Sequence, residues 1–329
     1  TPSRHGTLLE GIRSAAGDKA EILYAKGCNI YYDAETEKAA TGIRPLERGD
    51  NRELLDEALR VASRSDIIVA ALGECAEMSG ESASRTSLEI PDAQQDLLKA
   101  LVKTGKPVVL LLFTGRPLVL NWEDANVHSI LNVWFGGSET GDAVADVLFG
   151  KITPSGKLTT TFPRSVGQLP LFYNHLNTGR PDPDSRMFNR YASNYLDESN
   201  EPLYPFGYGL SYTDFVYGEL QISSETLPKN GELTVSVTVT NKGNYDGYET
   251  VQLYLHDIYA EIARPVKELK GFERVFLKSG ESRDVKFVIT EDDLKFYNSE
   301  LHYVYEPGEF DVMVGPNSRD VQTKSFQAK

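Results

Sequence analysis

The stretch that decides the fold of the first half is residues 71–91, which read ALGECAEMSGESASRTSLEIP. An apolar run over residues 66–72 ends at Gly73, and a helical pattern begins only after Pro91. This order predicts a buried strand, then a long loop, then a helix. Loops at the carboxyl ends of parallel strands border the crevice in which open α/β sheets bind ligands, so this loop is a candidate functional site.

Acidic residues crowd this loop. Glu74, Glu77 and Glu81 fall close together, and Arg85 follows them. Carboxyl groups held near one another suit acid/base catalysis, because their environments can give them different protonation states. The alternative is that these are solvated loop charges, as most exposed glutamates are, and composition alone does not choose between the two.

The composition excludes several classes of function. The 329 residues carry a net charge of −14, which argues against nucleic acid or an anionic membrane surface as partner, because both require a positive patch. The five histidines lack the spacing of a metal site, and Cys28 and Cys75 each adjoin an apolar run, as buried thiols do. No run approaches the ~20 apolar residues of a membrane span, and a signal peptide is not predicted. Because Thr1 is not an initiator Met, we expect the chain to have been processed or cut out of something longer.

The first half of the chain alternates strand and helix patterns. Strands are predicted at residues 21–24, 67–72, 108–113 and 130–135, and helices at residues 52–62, 92–104 and 139–148. Alternating units of this size predict a mostly parallel sheet flanked by helices, which is an α/β sandwich domain.

The second half has a period of two. Residues 233–240 read LTVSVTVT, and residues 250–255 are predicted to be the partner strand across the turn NKGNYDG. Two more strands are predicted at residues 285–289 and 310–314, with turn signals between them. This spacing predicts an all-β sandwich of fibronectin type III size.

The two patterns divide the chain into domains at residues 1–213 and 214–329. Residues 151–213 are rich in Pro, Gly, Tyr and Asn, and they are too aromatic for a disordered linker. We therefore predict a wrapping linker that belongs to the first domain.

Two short motifs resemble known sites but lack their context. GGSETG at residues 136–141 has the wrong spacing for a nucleophile elbow, so Ser138 and Glu139 are predicted to cap a helix instead. GYGLS at residues 207–211 lacks the third glycine and the preceding strand of a dinucleotide site, which favours a tight aromatic turn.

Four motifs in order resemble the C-terminal half of family 3 glycoside hydrolases, in particular the bacterial periplasmic β-glucosidases. They are SGESASRTSLEIP (79–91), LLLFTGRPLVL (110–120), WFGGSETGDAVADVLFGKITPSGKLTTTFPRS (134–165) and YPFGYGLSYTDF (204–215). Residues 264–282 and 293–315 resemble the fibronectin type III-like domain of the same family. The resemblance covers essentially the whole chain.

The resemblance implies a retaining, exo-acting enzyme that hydrolyses terminal non-reducing β-D-glucosyl residues without a cofactor. Its substrate would be an oligosaccharide or another β-glucoside, and its location the periplasm or the outside of the cell. The family begins with a (β/α)₈ barrel that carries the nucleophilic Asp, and no barrel-length segment is found in this sequence. The resemblance therefore implies that this chain is inactive by itself. It leaves a homodimer open.

The same resemblance assigns roles to residues of the loop. Glu81, in GES, matches the family's acid/base, and Glu77 is the runner-up. The sequence has GESASR where GEGxDR is commoner, so a third alternative places the acid/base on the barrel. Glu74 is expected to brace the loop, and Arg85 to pair with one glutamate or to bind substrate.

Three further residues have two interpretations each. Trp134 and Phe135 either line a sugar subsite by stacking or pack in the core. Arg116 binds sugar hydroxyls or pairs with Glu123 or Asp124.

Two rival functions remain at this point. The chain could be a non-catalytic carbohydrate-binding or scaffold module, in which case it binds sugar without turnover. A flavodoxin-like nucleotide or flavin binder is the weaker rival, because no phosphate-binding loop is present.

Overall fold

The computed structural model describes residues 6–42, 47–181 and 189–329. The chain forms two compact units: Thr1–Ile152 with Arg164–Gly167, and Thr153–Pro163 with Gln168–Lys329. The predicted domain division at residue 213 stays a prediction, and residues 182–188 of the predicted linker lie outside the described residues.

The first unit is an α/β fold. Its helices are α1 (Leu8–Ala16), α2 (Ala34–Thr41), α3 (Asn51–Ser63), α4 (Asp92–Val102), α5 (Asn121–Asn126) and α6 (Thr140–Leu148), and its strands are β1 (Ile68–Gly73), β2 (Val108–Phe113) and β3 (Ser129–Asn132). The strands form a parallel sheet in the order β1-β2-β3. The predicted parallel sheet flanked by helices is confirmed.

The apolar patterns of the sequence explain where these elements pack. β2 is the central strand, and its residues Leu110, Leu111 and Leu112 are fully buried, as a strand covered on both sides requires. α4 lies against β1 and buries Leu98 completely, because its apolar residues fall on one face.

Two predicted strands of the first unit differ from the structure. Residues 21–24 form no strand, and the segment that follows them is held by side chains instead: the Asn29 amide donates to the Gly49 carbonyl at 2.9 Å and accepts from the Gly49 N–H. The strand predicted at residues 130–135 ends at Asn132, because Trp134 has a φ of 55°, which an extended strand cannot accommodate.

Among its described residues, the second unit is all-β apart from one short α-helix. Its elements are β4 (Phe215–Tyr217), β5 (Gln221–Ile222), β6 (Thr226–Leu227), β7 (Leu233–Asn241), β8 (Gly247–Asp257), β9 (Glu268–Leu277), β10 (Ser282–Ile289), α7 (Glu291–Leu294), β11 (Phe296–Tyr297), β12 (Tyr303–Val304), β13 (Gly308–Gly315) and β14 (Gln322–Ala328). One sheet of the sandwich has the order β10-β7-β4, with β5 also on β7, and the second has the order β6-β14-β13-β8-β9; β11 and β12 form a separate two-stranded sheet. The alternating apolar residues of both sheets form one buried core, so the predicted sandwich is confirmed.

The predicted pairing of residues 233–240 with residues 250–255 is wrong. β7 pairs with β10, where Val237 lies opposite Val285, whereas β8 pairs with β9 and β13. The turn between β7 and β8 therefore crosses from one sheet to the other. Period-two alternation shows which face of a strand is buried, but it does not show which strand lies beside it.

Part of the predicted linker packs within the second unit. Leu158 donates its N–H to the Tyr208 carbonyl at 2.8 Å, and Tyr204 stacks on Tyr208 with a ring-centroid distance of 5.3 Å. Gly207, at a φ of 81°, makes the tight aromatic turn that the sequence predicts.

Within residues 6–42, 47–181 and 189–329, no helix combines the length and apolar character needed to cross a membrane. In that same part of the chain, no three His, Cys, Asp or Glu side chains come together in a way that could bind a metal ion.

Candidate active site

The candidate site is the loop of residues 74–91, which joins β1 to α4. β1 ends at Gly73, which has a φ of 132°, and a Cβ there would lie 1.9 Å from the Phe113 carbonyl oxygen. Only glycine fits this crossing, because any side chain would collide with the backbone of β2. Gln94 of α4 accepts from the Gly73 N–H at 2.7 Å and donates to its carbonyl at 2.9 Å. The start of the loop is therefore fixed from two neighbouring elements.

Glu74 is the anchor of the loop. Its side chain is 0% exposed and pairs with two arginines, Arg85 at 2.8 Å and Arg116 at 3.2 Å. The Thr114 hydroxyl also donates to Glu74 Oε2, at 2.9 Å. A buried carboxylate needs compensation of this kind, because its desolvation is otherwise costly. As expected from the sequence, Arg85 pairs with a glutamate of the loop, and that glutamate is Glu74, which holds the start of the loop in place.

The two arginines extend from Glu74 to different parts of the loop backbone. Arg85 donates to the Glu89 carbonyl at 3.0 Å. Arg116 donates through Nη2 to the carbonyls of Met78 and Ala83, the latter at 2.8 Å. The sequence suggested a pair of Arg116 with Glu123 or Asp124, and the structure corrects this, because Arg116 pairs with Glu74. Binding of sugar hydroxyls by Arg116 stays a prediction. Arg116 follows β2, and the carboxyl ends of parallel strands meet at one edge, so its nearest carboxylate is the one that follows β1.

Glu77 lies on a single 3₁₀ turn, Ala76–Met78. This turn packs against α2: Cys75 Sγ lies 3.7 Å from the Ala40 carbonyl oxygen, and Glu77 Cγ is 3.9 Å from where a Cβ on Gly42 would be. Glu77 is exposed, but its side chain lies beside Gly42 at the C-terminal end of α2.

Glu81 occupies the apex of the loop. Gly80 before it has a φ of 151° and Ser82 after it has a φ of 59°, so the chain turns sharply on both sides. Glu81 is exposed, and within the described parts of the chain its carboxylate forms no ion pair or hydrogen bond. Its lone pairs are therefore open to a bound substrate.

Phe135 reaches the foot of this apex, next to Trp134. A Cβ on Gly115 would lie 2.0 Å from Ser79 Oγ and 3.0 Å from Phe135 Cε2, so loop and aromatic ring both rest on this glycine. Trp134 is half-buried and lies beyond the end of β3, not in a strand. Its predicted contact with sugar stays a prediction, as does substrate binding by Arg85.

An open cavity of about 430 Å³ lies in the first unit, and Arg85, Ile90 and Pro91 form part of its lining. Hydroxyl, carboxyl and amide side chains line it, among them Tyr31, Ser84, Glu89 and Gln95. Such a lining offers hydrogen bonds to a neutral polar ligand, and its basic group, Arg85, is already paired with Glu74.

The two cysteines are free and half-buried. Burial raises the pKa of the Cys28 thiol to about 12 and also raises the pKa of Cys75. Both therefore stay protonated near neutral pH, and neither is a candidate nucleophile.

Sequence reasoning missed Gln94 and Thr114 as supports of the loop. Both are uncharged and carry no motif of their own. The only available signal was their place, one on the helix after the loop and one at the end of the adjacent strand.

Comparison with known proteins gives two family matches. Residues 1–212 match the glycosyl hydrolase family 3 C-terminal domain, and residues 249–318 match a fibronectin type III-like domain. The first match covers most of the chain.

Individual relatives agree with this assignment. A periplasmic β-glucosidase of Salmonella typhimurium is 49% identical over 98% of this chain, which corresponds to 42% of that protein. A β-xylosidase of Formosa agariphila is 39% identical over 100% of this chain and 42% of its own length. The crystal structure of a β-glucosidase from Listeria innocua in complex with glucose superimposes with a TM-score of 0.78 at 44% identity, covering 83% of this chain and 38% of that one.

The chain thus spans about two fifths of the length of the relatives it matches. The two family matches and the identity to these relatives agree with the two folds described above. The chain therefore belongs to the glycosyl hydrolase family 3 C-terminal domain family and carries a fibronectin type III-like domain.

Proposed function

We propose that this chain is the C-terminal part of a retaining β-glucosidase and that it supplies the acid/base residue, Glu81. The observation that carries the proposal is the contrast within one loop: Glu74 is committed to two arginines, whereas Glu81 is presented at the apex with a carboxylate that pairs with no other described residue. A general acid must reach the glycosidic oxygen of its substrate directly, and the apex position permits this.

Glu81 is preferred over Glu77 on the same grounds. Glu77 belongs to a turn that packs on α2, so its backbone is held against the body of the unit. Glu81 projects between two sharply turned residues.

The second carboxylate belongs to a domain outside this sequence. Retaining glycosidases need two carboxyl groups about 5 Å apart, one as nucleophile and one as acid/base. We place the nucleophile on an N-terminal (β/α)₈ barrel, which the length of the relatives supports. Glu81 then protonates the departing oxygen and later deprotonates the incoming water, and no cofactor takes part.

The substrate is a β-glucoside or oligosaccharide, and the location is the periplasm or the outside of the cell. Both statements rest on the printed names of relatives, one of which is a periplasmic β-glucosidase. Because another is a β-xylosidase, hydrolysis of nitrophenyl β-glucoside and nitrophenyl β-xyloside should be compared side by side.

The test of Glu81 uses leaving groups of different basicity. In the full-length protein, Glu81→Ala should slow the hydrolysis of substrates with poor leaving groups by about 100-fold or more, because such groups depart only when they are protonated. Aryl β-glucosides with acidic phenols should be affected far less, and azide should partly restore their turnover by replacing the activated water.

Glu77→Ala is the matched control, since it removes the same group from the same loop. We expect it to lower all rates by a similar small factor. Equal losses for good and poor leaving groups in Glu81→Ala, or a leaving-group effect in Glu77→Ala, would refute the assignment to Glu81.

The isolated chain is expected to bind sugars weakly or not at all and to show no turnover. Turnover above ~1 s⁻¹, an ordinary enzyme rate, would refute the need for a second domain. Binding of a β-glucan oligosaccharide to the isolated chain, with no turnover after a barrel domain is added, would instead favour a carbohydrate-binding module.

A further inference from the structure

We propose that Arg116 is a positioning residue that closes the acid/base loop and so fixes the direction in which Glu81 points. The inference rests on the proposed function, because it concerns how Glu81 is presented. Its basis is the contact set of a single guanidinium, which joins the buried anchor of the loop to both stems of its apex.

The two stems of the apex, which are the backbone at Met78 and the backbone at Ala83, bind the same nitrogen atom. Arg116 Nη2 donates to the carbonyl of Met78 before the apex and to that of Ala83 after it. Two hydrogen bonds from the same atom keep these carbonyl oxygens within about 6 Å of each other. The four residues between them, 79–82, must then form a tight bend, and Glu81 lies in it.

The other side of the guanidinium sets the position of this bridge. Arg116 Nε lies 3.2 Å from the buried Glu74 carboxylate, and the backbone N–H of Arg116 donates to Thr114 Oγ1 at 3.2 Å. Thr114 in turn donates to Glu74 at 2.9 Å. The guanidinium that bridges Met78 and Ala83 is thus held by residues at the ends of β1 and β2. Its position is therefore fixed relative to the sheet, and so is that of the apex.

This geometry needs arginine. A guanidinium presents its five N–H groups in a planar fork, so one edge can bind a carboxylate while another binds carbonyls. A lysine ammonium can replace the charge beside Glu74, but it has one nitrogen and so cannot bind the carboxylate from one atom and both stem carbonyls from another.

Gly115 supports the apex from below by a contact that is independent of charge. A Cβ there would lie 2.0 Å from Ser79 Oγ and 2.5 Å from Ser79 Cβ. Ser79, the first residue of the apex, therefore rests directly on the backbone of the turn that carries Arg116.

The test combines amide exchange with kinetics in the full-length protein. In Arg116→Lys, peptides covering residues 76–84 should exchange at least about 10-fold faster, because the backbone bonds of the amides of Met78, Ser79 and Ala83 are all local to the loop, to the carbonyls of Cys75, Ala76 and Gly80. The kcat for poor leaving groups should fall about 100-fold with little change in KM, whereas good leaving groups should lose less than about threefold.

Arg85→Lys is the matched control for exchange. It alters the other arginine on the same carboxylate, but Arg85 reaches Glu89 and not the apex stems. Exchange over residues 76–84 should therefore stay as in the unmodified protein.

A second variant covers the case in which Arg116→Lys does not fold. Gly115→Ala leaves the ion pairs of Glu74 in place and pushes Ser79 upwards, and it should open the same peptides and give the same leaving-group dependence.

Unchanged exchange over residues 76–84 in both Arg116→Lys and Gly115→Ala would overturn the bridge. Faster exchange with equal losses for good and poor leaving groups would overturn its role in catalysis. If Glu81→Ala itself shows no leaving-group dependence, the proposed function fails along with the catalytic role of Arg116, and the exchange result still shows separately whether the bridge exists.

Discussion

Two glutamates of the loop between β1 and α4, Glu74 and Glu81, have opposite environments. At its foot, Glu74 is fully buried and holds two arginines and a threonine hydroxyl. At its apex, Glu81 is exposed and bound by no other described residue. The comparison teaches that a carboxylate whose oxygens are already taken by cations serves structure, while a neighbour seven positions away remains available for chemistry.

The foot also explains how an exposed apex can be precise. Burying a charged group stabilises a fold only when its partners are well placed, and here those partners are the arms that reach the loop backbone. Through Arg116, the buried Glu74 thereby fixes the backbone on both sides of the apex, although Arg116 does not contact Glu81. The four predictions below test this division of roles, and the fluorescence of Trp122 and Trp134 serves as readout because both tryptophans belong to the first unit.

Glu74→Gln should have the largest effect. It leaves two partly buried arginines without their carboxylate, a change that typically lowers the free energy of unfolding by about 3–5 kcal/mol. Denaturant titration followed by tryptophan fluorescence would measure the loss. A loss below about 1 kcal/mol would contradict the role of Glu74 as the anchor of the loop.

Gly73→Ala should come next, with a loss of about 3 kcal/mol, because it combines a strained φ of 132° with a Cβ 1.9 Å from the Phe113 carbonyl oxygen. Gly105→Ala is the control: its φ is 73°, but no atom lies within 4 Å of the added Cβ. We expect the control to lose only about 1 kcal/mol. Similar losses in the two variants would show that the crossing onto β2 is not tight.

Glu123→Gln sharpens the comparison, since Glu123 is buried in α5 and forms no ion pair within the described residues. Burial raises the pKa of Glu123 above its ordinary 4.5, so the folded chain retains a proton that the unfolded chain has lost. The free energy of unfolding therefore falls as pH rises from about 4.5 through the folded-state pKa.

Glutamine does not titrate, so Glu123→Gln should be more stable than the unmodified chain at pH 7 and should lose this advantage near pH 3.5. Tryptophan-monitored melting curves at both pH values measure the difference. A constant difference between the two pH values would mean that Glu123 is not desolvated in the folded state.

Glu81→Gln should have the smallest effect on stability, within about 0.5 kcal/mol of the unmodified chain, as for other exposed residues without partners. The same titration that detects Glu74→Gln should therefore find no shift here. A loss comparable with that of Glu74→Gln would show that Glu81 has a structural partner and would end the comparison.

Sequence alone determined the elements and the faces they bury. The continuous apolar run of β2 and the helical stripe of α4 could be read directly, because burial on both faces or on one stripe leaves a period in the sequence. The alternation in residues 233–240 likewise predicted β7 and the sandwich core. The motifs around Glu81, and with them the family, were also available from the sequence.

Tertiary structure decided which elements and side chains meet. Period two could not show that β7 pairs with β10 and not with β8, because both pairings bury the same face. Arg116 could be placed near several carboxylates along the chain, and only the parallel alignment of β1 and β2 brings it to Glu74 and across to Met78 and Ala83. Local patterns record how a residue faces solvent or core, whereas the choice of a partner distant in sequence depends on how the whole sheet is assembled.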